Sequence, residues 1–288
     1  MTEERKDNVL ILGSRGLFGT AMEEVCKESR VRYLGLSHDE LDISDESELE
    51  RKVDESKPSI IVNSAAMMGI LPCEENPLDA FEINAVSALN IARICNNRDI
   101  TLVHISSNAI FDGEKGGLYF EEDNPNPRNI YGLSKYAGEL CVKNNLPAHY
   151  IIRLPKLFGS RRNSTPGFID KIVERMRLGK ELKIAQDRVD TFTYSVHAAR
   201  KIISLVQNSA QFGIYHVANN GSVSYYDFVC TFAEKIGYNG EIIKAKDSDF
   251  PASAPNPLRT ELGSSKIHDM PAWKEALDEY FARDKIRL

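Results

Sequence analysis

The sequence predicts an α/β protein, a doubly wound parallel sheet followed by a smaller C-terminal lobe. Three observations carry that prediction. Short apolar runs at 9–12, 31–36, 60–62, 102–105 and 149–152 alternate with helical patterns at 19–28, 46–55, 79–96 and 131–143. Continuous apolar strands of this kind are expected where helices cover both faces of a parallel sheet. A glycine-rich turn separates the first run from the first helix, and after Gly159 the rhythm breaks. There a polar stretch at 161–166 leads into a helix at 168–178 and a short strand at 182–184. A helical pattern at 196–206 and a strand at 213–217 then return the chain to the main sheet. The expected division is therefore discontinuous: 1–160 with about 196–219 in one unit, 161–195 with 220–288 in the other. Three prolines within 251–257 mark an extended loop.

At 288 residues the chain is nearly twice the roughly 150 of a typical domain, enough for a large core. Hydrophobic residues at 42% and charged residues at 27% are ordinary for a soluble protein, and a net charge of -6 argues against nucleic acid as the main partner. The five cysteines, Cys26, Cys73, Cys95, Cys141 and Cys230, have no CxxC spacing, so neither a disulfide framework nor a structural metal site is expected. With no apolar leader and no apolar run of about 18 residues, the expectation is a cytoplasmic protein that does not engage membranes. A homodimer is compatible with all of this.

Chemistry is concentrated at three places. Gly13-Ser14-Arg15-Gly16-Leu17-Phe18-Gly19 follows an apolar strand and opens a helix, so backbone amides and the helix dipole can receive a pyrophosphate. The second strand ends Leu36-Ser37-His38 with no carboxylate before Asp39, a pattern that favours NADP(H) over NAD(H), although no arginine stands there to clamp a 2′-phosphate. Ser107 falls at the C-terminal end of the fourth strand, where open α/β sheets hold ligands. Tyr131 and Lys135 lie four residues apart at a helix start, about one turn, so both tips point the same way. An ammonium beside a phenol is expected to lower the phenol pKa and make it a proton donor or acceptor. No cluster of metal ligands is apparent.

Together, the glycine turn, Ser107 and Tyr131-x-x-x-Lys135 resemble an extended short-chain dehydrogenase/reductase. Within that superfamily the likeness is to the dTDP-4-dehydrorhamnose reductases. It is carried by Ser106 to Gly113, by Tyr131-Gly-Leu-Ser-Lys135-Tyr-Ala-Gly-Glu139, by Arg153-Leu-Pro-Lys-Leu-Phe-Gly159 and by Pro257-Leu-Arg-Thr-Glu-Leu262. The resemblance implies a Rossmann domain with a substrate-binding lobe, a nicotinamide cofactor, NADP(H) or NAD(H), and a nucleoside-diphosphate sugar whose 4-keto group is reduced. It makes Tyr131 the proton donor, Lys135 the group that tunes it and Ser107 the hydroxyl that orients the carbonyl. Cofactor contacts are implied for the glycine turn, Ser37, His38, Asp42 and Ile43, for Ala65, Ala66 and Met67 after the third strand, and for Asn84, Ser106, Tyr131, Lys135 and Leu154. Asn84 would also hold a helix irregularity. Ser107, Asn108, Met68 and Arg259 would meet the substrate.

Departures from the family pattern bear on the substrate. Ser107-Asn108-Ala109 stands where Thr-Asp-Tyr is usual, losing a carboxylate and a phenol, and 67–72 is apolar where a polar segment is usual. Asn256 replaces a late-loop arginine, leaving Arg259, Arg161 and Arg162 as candidates for the diphosphate. Two other readings stay open on sequence: an epimerase or dehydratase on the same scaffold, and a non-catalytic regulatory subunit like that of methionine adenosyltransferase.

Overall fold

A computed structural model describes residues 8–162, 166–251 and 254–284. The 161–166 and 251–257 stretches lie partly outside the described residues. The first half runs β1 (Asn8–Leu12), α1 (Leu17–Glu28), β2 (Arg32–Leu36), α2 (Glu46–Ser56), β3 (Ile60–Asn63), α3 (Ile70–Glu75), α4 (Pro77–Phe81), α5 (Ser87–Asn97), β4 (Thr101–Ser107), α6 (Ile130–Asn145) and β5 (His149–Leu154). The second half runs β6 (Leu157–Phe158), α7 (Phe168–Arg177), β7 (Leu182–Ala185), β8 (Val189–Asp190), β9 (Thr193–Tyr194), α8 (Ser195–Gln207), β10 (Gly213–His216), β11 (Val223–Ser224), α9 (Tyr225–Ile236), β12 (Ile242–Ala245) and α10 (Trp273–Asp284).

Six strands form one parallel sheet in the order β10-β5-β4-β3-β1-β2. Successive side chains point to opposite faces. Val9 and Ile11 therefore join Met22 and Val25 of α1 and Ile202 of α8, while Leu10 and Leu12 join Leu49 of α2, Ile91 of α5 and Val142 of α6. Fully burying each such side chain contributes about 1.5–3 kcal/mol, so the apolar runs of the inner strands β1, β3, β4 and β5 are explained by two covered faces, whereas β2 at the sheet edge is only partly covered. β10 lies beside β5 and α8 packs on α1, which returns the chain to this sheet after β9. Three two-stranded pairs, β6 with β9, β7 with β12 and β8 with β11, build the structure beyond the sheet's C-terminal edge.

Two local features refine the sequence expectation, the first falling at the irregularity implied at Asn84. The helix expected at 79–96 is interrupted by one π-turn, Glu82–Val86, and the apolar 67–72 segment runs into the short helix α3. The chain order reverses between β1 and β3, so the loops after these strands flank the crevice where open α/β sheets hold ligands.

Candidate active site

The glycine turn is built for close approach. Gly13 has φ 80°, and a Cβ there would lie 2.8 Å from the Ala65 nitrogen, so only glycine lets the loop after β3 rest on the turn. A Cβ on Gly19 would collide with the Gly13 carbonyl oxygen, which is how α1 passes directly beneath. Gly16 caps α1 without any side-chain hydrogen bond, and no acidic residue occupies the first turn. The positive helix end therefore meets no competing charge of its own, an arrangement that fits a dinucleotide pyrophosphate. Ser14 and Phe18 are buried, Phe18 within the core beneath the sheet.

At the end of β2 the turn delivers a residue that sequence order concealed. The Arg15 guanidinium reaches Asp39 at 2.9 Å, beside Ser37 and exposed His38, so an arginine does stand at the end of β2. This corrects the expectation that none was present; the residue comes from the glycine turn. Ser37 donates through its amide and hydroxyl to Glu40, at 2.9 and 2.6 Å, and Ser44 donates likewise to Asp42, at 3.0 and 2.7 Å. Those bonds hold both carboxyls below the usual range. Ile43 packs in the core. Arg15→Ala is expected to raise KM for NADPH about tenfold and leave NADH within about twofold, since a charge-assisted bond to a phosphate contributes on the order of 1.4 kcal/mol. Paired cofactor titrations check it.

Ser107 ends β4, and its neighbour Ser106 points to the other face, where its hydroxyl donates to buried Glu139 at 2.5 Å. Asn129 caps α6 by accepting from the Gly132 amide at 2.9 Å, and Glu74 of α3 accepts from the Ile130 amide at 2.8 Å. A Cβ on Gly132 would collide with the Ala109 carbonyl oxygen. That contact draws the first turn of α6 against the 107–109 segment and sets Tyr131 beside Ser107. The Tyr131 pKa is raised by burial, opposed by the adjacent Ser107 hydroxyl and reinforced by the nearby Cys73; that hydroxyl accepts from the Ala109 N–H at 3.1 Å.

This overturns the expectation that Lys135 lowers the phenol. Lys135 is 3% exposed and donates to the Ile105 carbonyl at 2.7 Å. Desolvation pushes its own pKa down to about 8, against the pull of Glu139. Lys135 also helps burial hold His104 neutral.

Asn84 lies in the π-turn, buried, and its amide accepts from the Met67 N–H at 2.9 Å while donating to the Met67 carbonyl at 3.0 Å and to Ser134 at 2.9 Å. It thus orders the loop carrying Ala65, Ala66 and Met67, all half-buried, and Met68, which is 68% exposed. A Cβ on Gly138 would collide with the Asn84 carbonyl oxygen, so the π-turn seats directly on α6. Leu154 is buried alongside Ser107 in register.

On the substrate side two candidates are engaged within the protein. The Asn108 amide donates to both Asp190 oxygens, at 3.0 and 3.2 Å, and to the Thr260 carbonyl and hydroxyl, at 3.0 and 2.9 Å. Asp190 of β8 thus sets a carboxylate against position 108, and burial raises its pKa to about 6. Arg259 pairs with buried Glu261 at 2.8 Å.

Sequence reasoning missed a buried network behind the site. Arg153 of β5 forms a bidentate pair with Glu139 of α6, with bonds of 2.8 to 3.2 Å and both side chains 2% exposed. Its guanidinium lies 5.4 Å over Phe111 and 3.3 Å from His216 Nε2. A charged residue in the otherwise apolar 149–154 strand was the available signal, because a buried charge requires a partner.

Comparison with known proteins agrees with this geometry. The RmlD substrate binding domain family matches residues 7–286. The spore coat polysaccharide biosynthesis protein SpsK of Bacillus subtilis is 28% identical over 94% of this chain and 96% of its own length. A dTDP-4-keto-6-deoxy-D-glucose reductase of Streptomyces niveus is 30% identical over 94% of this chain and 91% of its own. A crystal structure of dTDP-4-dehydrorhamnose reductase from Bacillus anthracis in complex with NADP, 28% identical, superposes with a TM-score of 0.91 over 96% of this chain and 99% of that one. With the glycine turn, the Ser107–Tyr131 pair and the parallel sheet all in place, this chain belongs to the RmlD substrate-binding-domain family.

Proposed function

We propose that this protein is an NAD(P)H-dependent oxidoreductase that reduces the 4-keto group of a nucleotide-activated deoxysugar, in the making of a polysaccharide precursor. One observation carries the reading most directly: the first turn of α6 sets Tyr131 beside Ser107 at the end of β4, with buried Lys135 one turn along the same helix and fixed on the Ile105 carbonyl at 2.7 Å. In this reading the glycine turn and the α1 N-terminus hold the pyrophosphate, Arg15 meets a 2′-phosphate, and the Asn84-ordered loop lies along the nicotinamide half. The bound cofactor supplies the hydride. Ser107 and Tyr131 hydrogen-bond the keto oxygen and stabilise the charge that develops there. A phenol raised above its usual pKa stays protonated at neutral pH, which is the form a reduction needs. Tyr131 gives up its proton to the alkoxide that forms, and the Lys135 ammonium, held on the Ile105 carbonyl, is placed for the nicotinamide ribose. Segments 161–195 and 220–288 form the substrate lobe, and the protein acts in the cytoplasm without membrane or nucleic acid. No helix among the described residues is long and apolar enough to cross a membrane.

The test is a panel of nucleoside-diphosphate 4-keto sugars followed by NADPH absorbance. Stoichiometric oxidation supports the reductase; turnover without net oxidation makes the protein an epimerase instead; no turnover on any member sinks both. pH gives a second check. The folded Lys135 pKa of about 8 lies below the free value of about 10.4, so its charge is present below pH 8 and lost above it. The reduction rate is expected to fall as pH rises through about 8. Stability is expected to rise between about pH 8 and 10, because there the unfolded chain keeps a proton that the folded chain has released. Urea midpoints at pH 7 and 9.5, set beside a kcat profile, read both signs.

A further inference from the structure

Just beyond β5 the chain places an ammonium with no acceptor. Lys156 is half-buried, stands 5.5 Å over the Phe168 ring, and no hydrogen bond or ion pair from the described residues reaches its Nζ. Its surroundings are mostly of the same sign: burial pushes its proton off, Arg188, Lys171 and Arg161 add to that push, and Asp190 alone opposes it. Asp190 is already occupied by the Asn108 amide and the Thr191 N–H. Arg188 and Arg161 each have a carboxylate, Asp247 at 2.6 Å and Asp170 at 3.1 Å, whereas Lys156 and Lys171 have none among the described residues. The rings organise this charge. Arg188 stands 5.7 Å over Tyr225, and Tyr225 meets Phe168 edge-on at 5.1 Å, so Lys156 and Arg188 sit on adjoining aromatic faces.

A half-buried amine among like charges is unfavourable unless an anion completes the site. Position indicates which anion. Leu154 pairs with Ser107 in register, and Lys156 follows two residues later, about 7 Å further along the chain. A pyranose with its C4 oxygen at Ser107 and Tyr131 carries its anomeric phosphate on the opposite side of the ring. We infer that Lys156, with Arg188 and Lys171 beside it, is the seat of the substrate's diphosphate. This assignment rests on the nucleotide-sugar reading above. It displaces Arg259, whose charge is taken up by Glu261.

The experiment is calorimetric titration of dTDP, UDP and thymidine into the full chain saturated with NADP+, for the wild type, Lys156→Met and Lys156→Arg. Lys156→Met is expected to weaken dTDP or UDP about tenfold with thymidine unchanged, and Lys156→Arg to restore most of the loss. Unaltered NADP+ affinity in each variant confirms an intact fold. An unchanged diphosphate affinity in Lys156→Met overturns the assignment. So does an equal loss for thymidine, and so does a wild type that binds neither diphosphate. If no keto sugar is reduced while diphosphate affinity still depends on Lys156, the anion seat stands and only the proposed activity falls.

Discussion

Tyr131→Phe is expected to lower kcat by about three orders of magnitude while leaving cofactor affinity within about twofold. A positioned general acid contributes roughly 10²–10⁴ in rate, and in the proposed mechanism the acid is also one of two donors to the developing oxyanion. The substitution removes a single oxygen and keeps the ring, so the seating of α6 against Ala109 through Gly132 is undisturbed. Ser107→Ala should cost less, about a hundredfold, because Tyr131 still donates; the double variant should fall little below Tyr131→Phe, since the two act on one oxygen. NADPH-oxidation kinetics, with fluorescence titration of NADPH as the control, separate the cases. A Tyr131→Phe protein with kcat within tenfold of wild type would remove Tyr131 from the chemistry.

Arg153→Ala is expected to destabilise the fold by about 3–5 kcal/mol, a Tm loss on the order of 10 °C, because it leaves Glu139 as an uncompensated buried charge. The loss extends beyond one pair. Glu139 also accepts from Ser106, His216 Nδ1 lies 3.0 Å from the Tyr119 carbonyl, and Glu121 accepts from the His216 N–H at 3.0 Å and from Ser265. These contacts join β4, α6, β5 and β10 to the 119–121 and 263–265 segments. Replacing both partners, Arg153→Met with Glu139→Leu, should recover much of the loss, since it removes the orphaned charge along with the pair. Thermal and urea denaturation of the two single variants and the double variant test this. Additive losses in the double variant would contradict it.

The layered sheet was legible because alternating apolar strands and helices obey short-range rules: every strand of the main sheet, including the return at β10, is visible as a run bounded by turn residues. The small pairs β8 with β11 and β6 with β9 were not, since two-residue strands have no periodicity and exist only through partners far along the chain. For the site, local motifs placed Gly13, Ser107 and Tyr131, whereas electrostatics misled. The Tyr131–Lys135 spacing pointed to a lowered phenol, but burial outweighs proximity and Lys135 turns to the Ile105 carbonyl. Arg15 was read as part of a turn because its proximity to Asp39 depends on β1 lying beside β2. The same holds for Asn108 and Asp190, whose pairing spans 82 residues.

The Asn108 amide has a consequence for how this protein responds to its ligand. It sits next to Ser107 in the chain, yet its four acceptors belong to β8 and to the loop at Thr260. The Ser107 segment and β8 are thus mechanically geared: on the proposed reading, a sugar that tilts β8 by a fraction of an ångström also re-aims the Ser107 hydroxyl. Discrimination between sugars can then be expressed in turnover, through alignment, without any change in how tightly they are held.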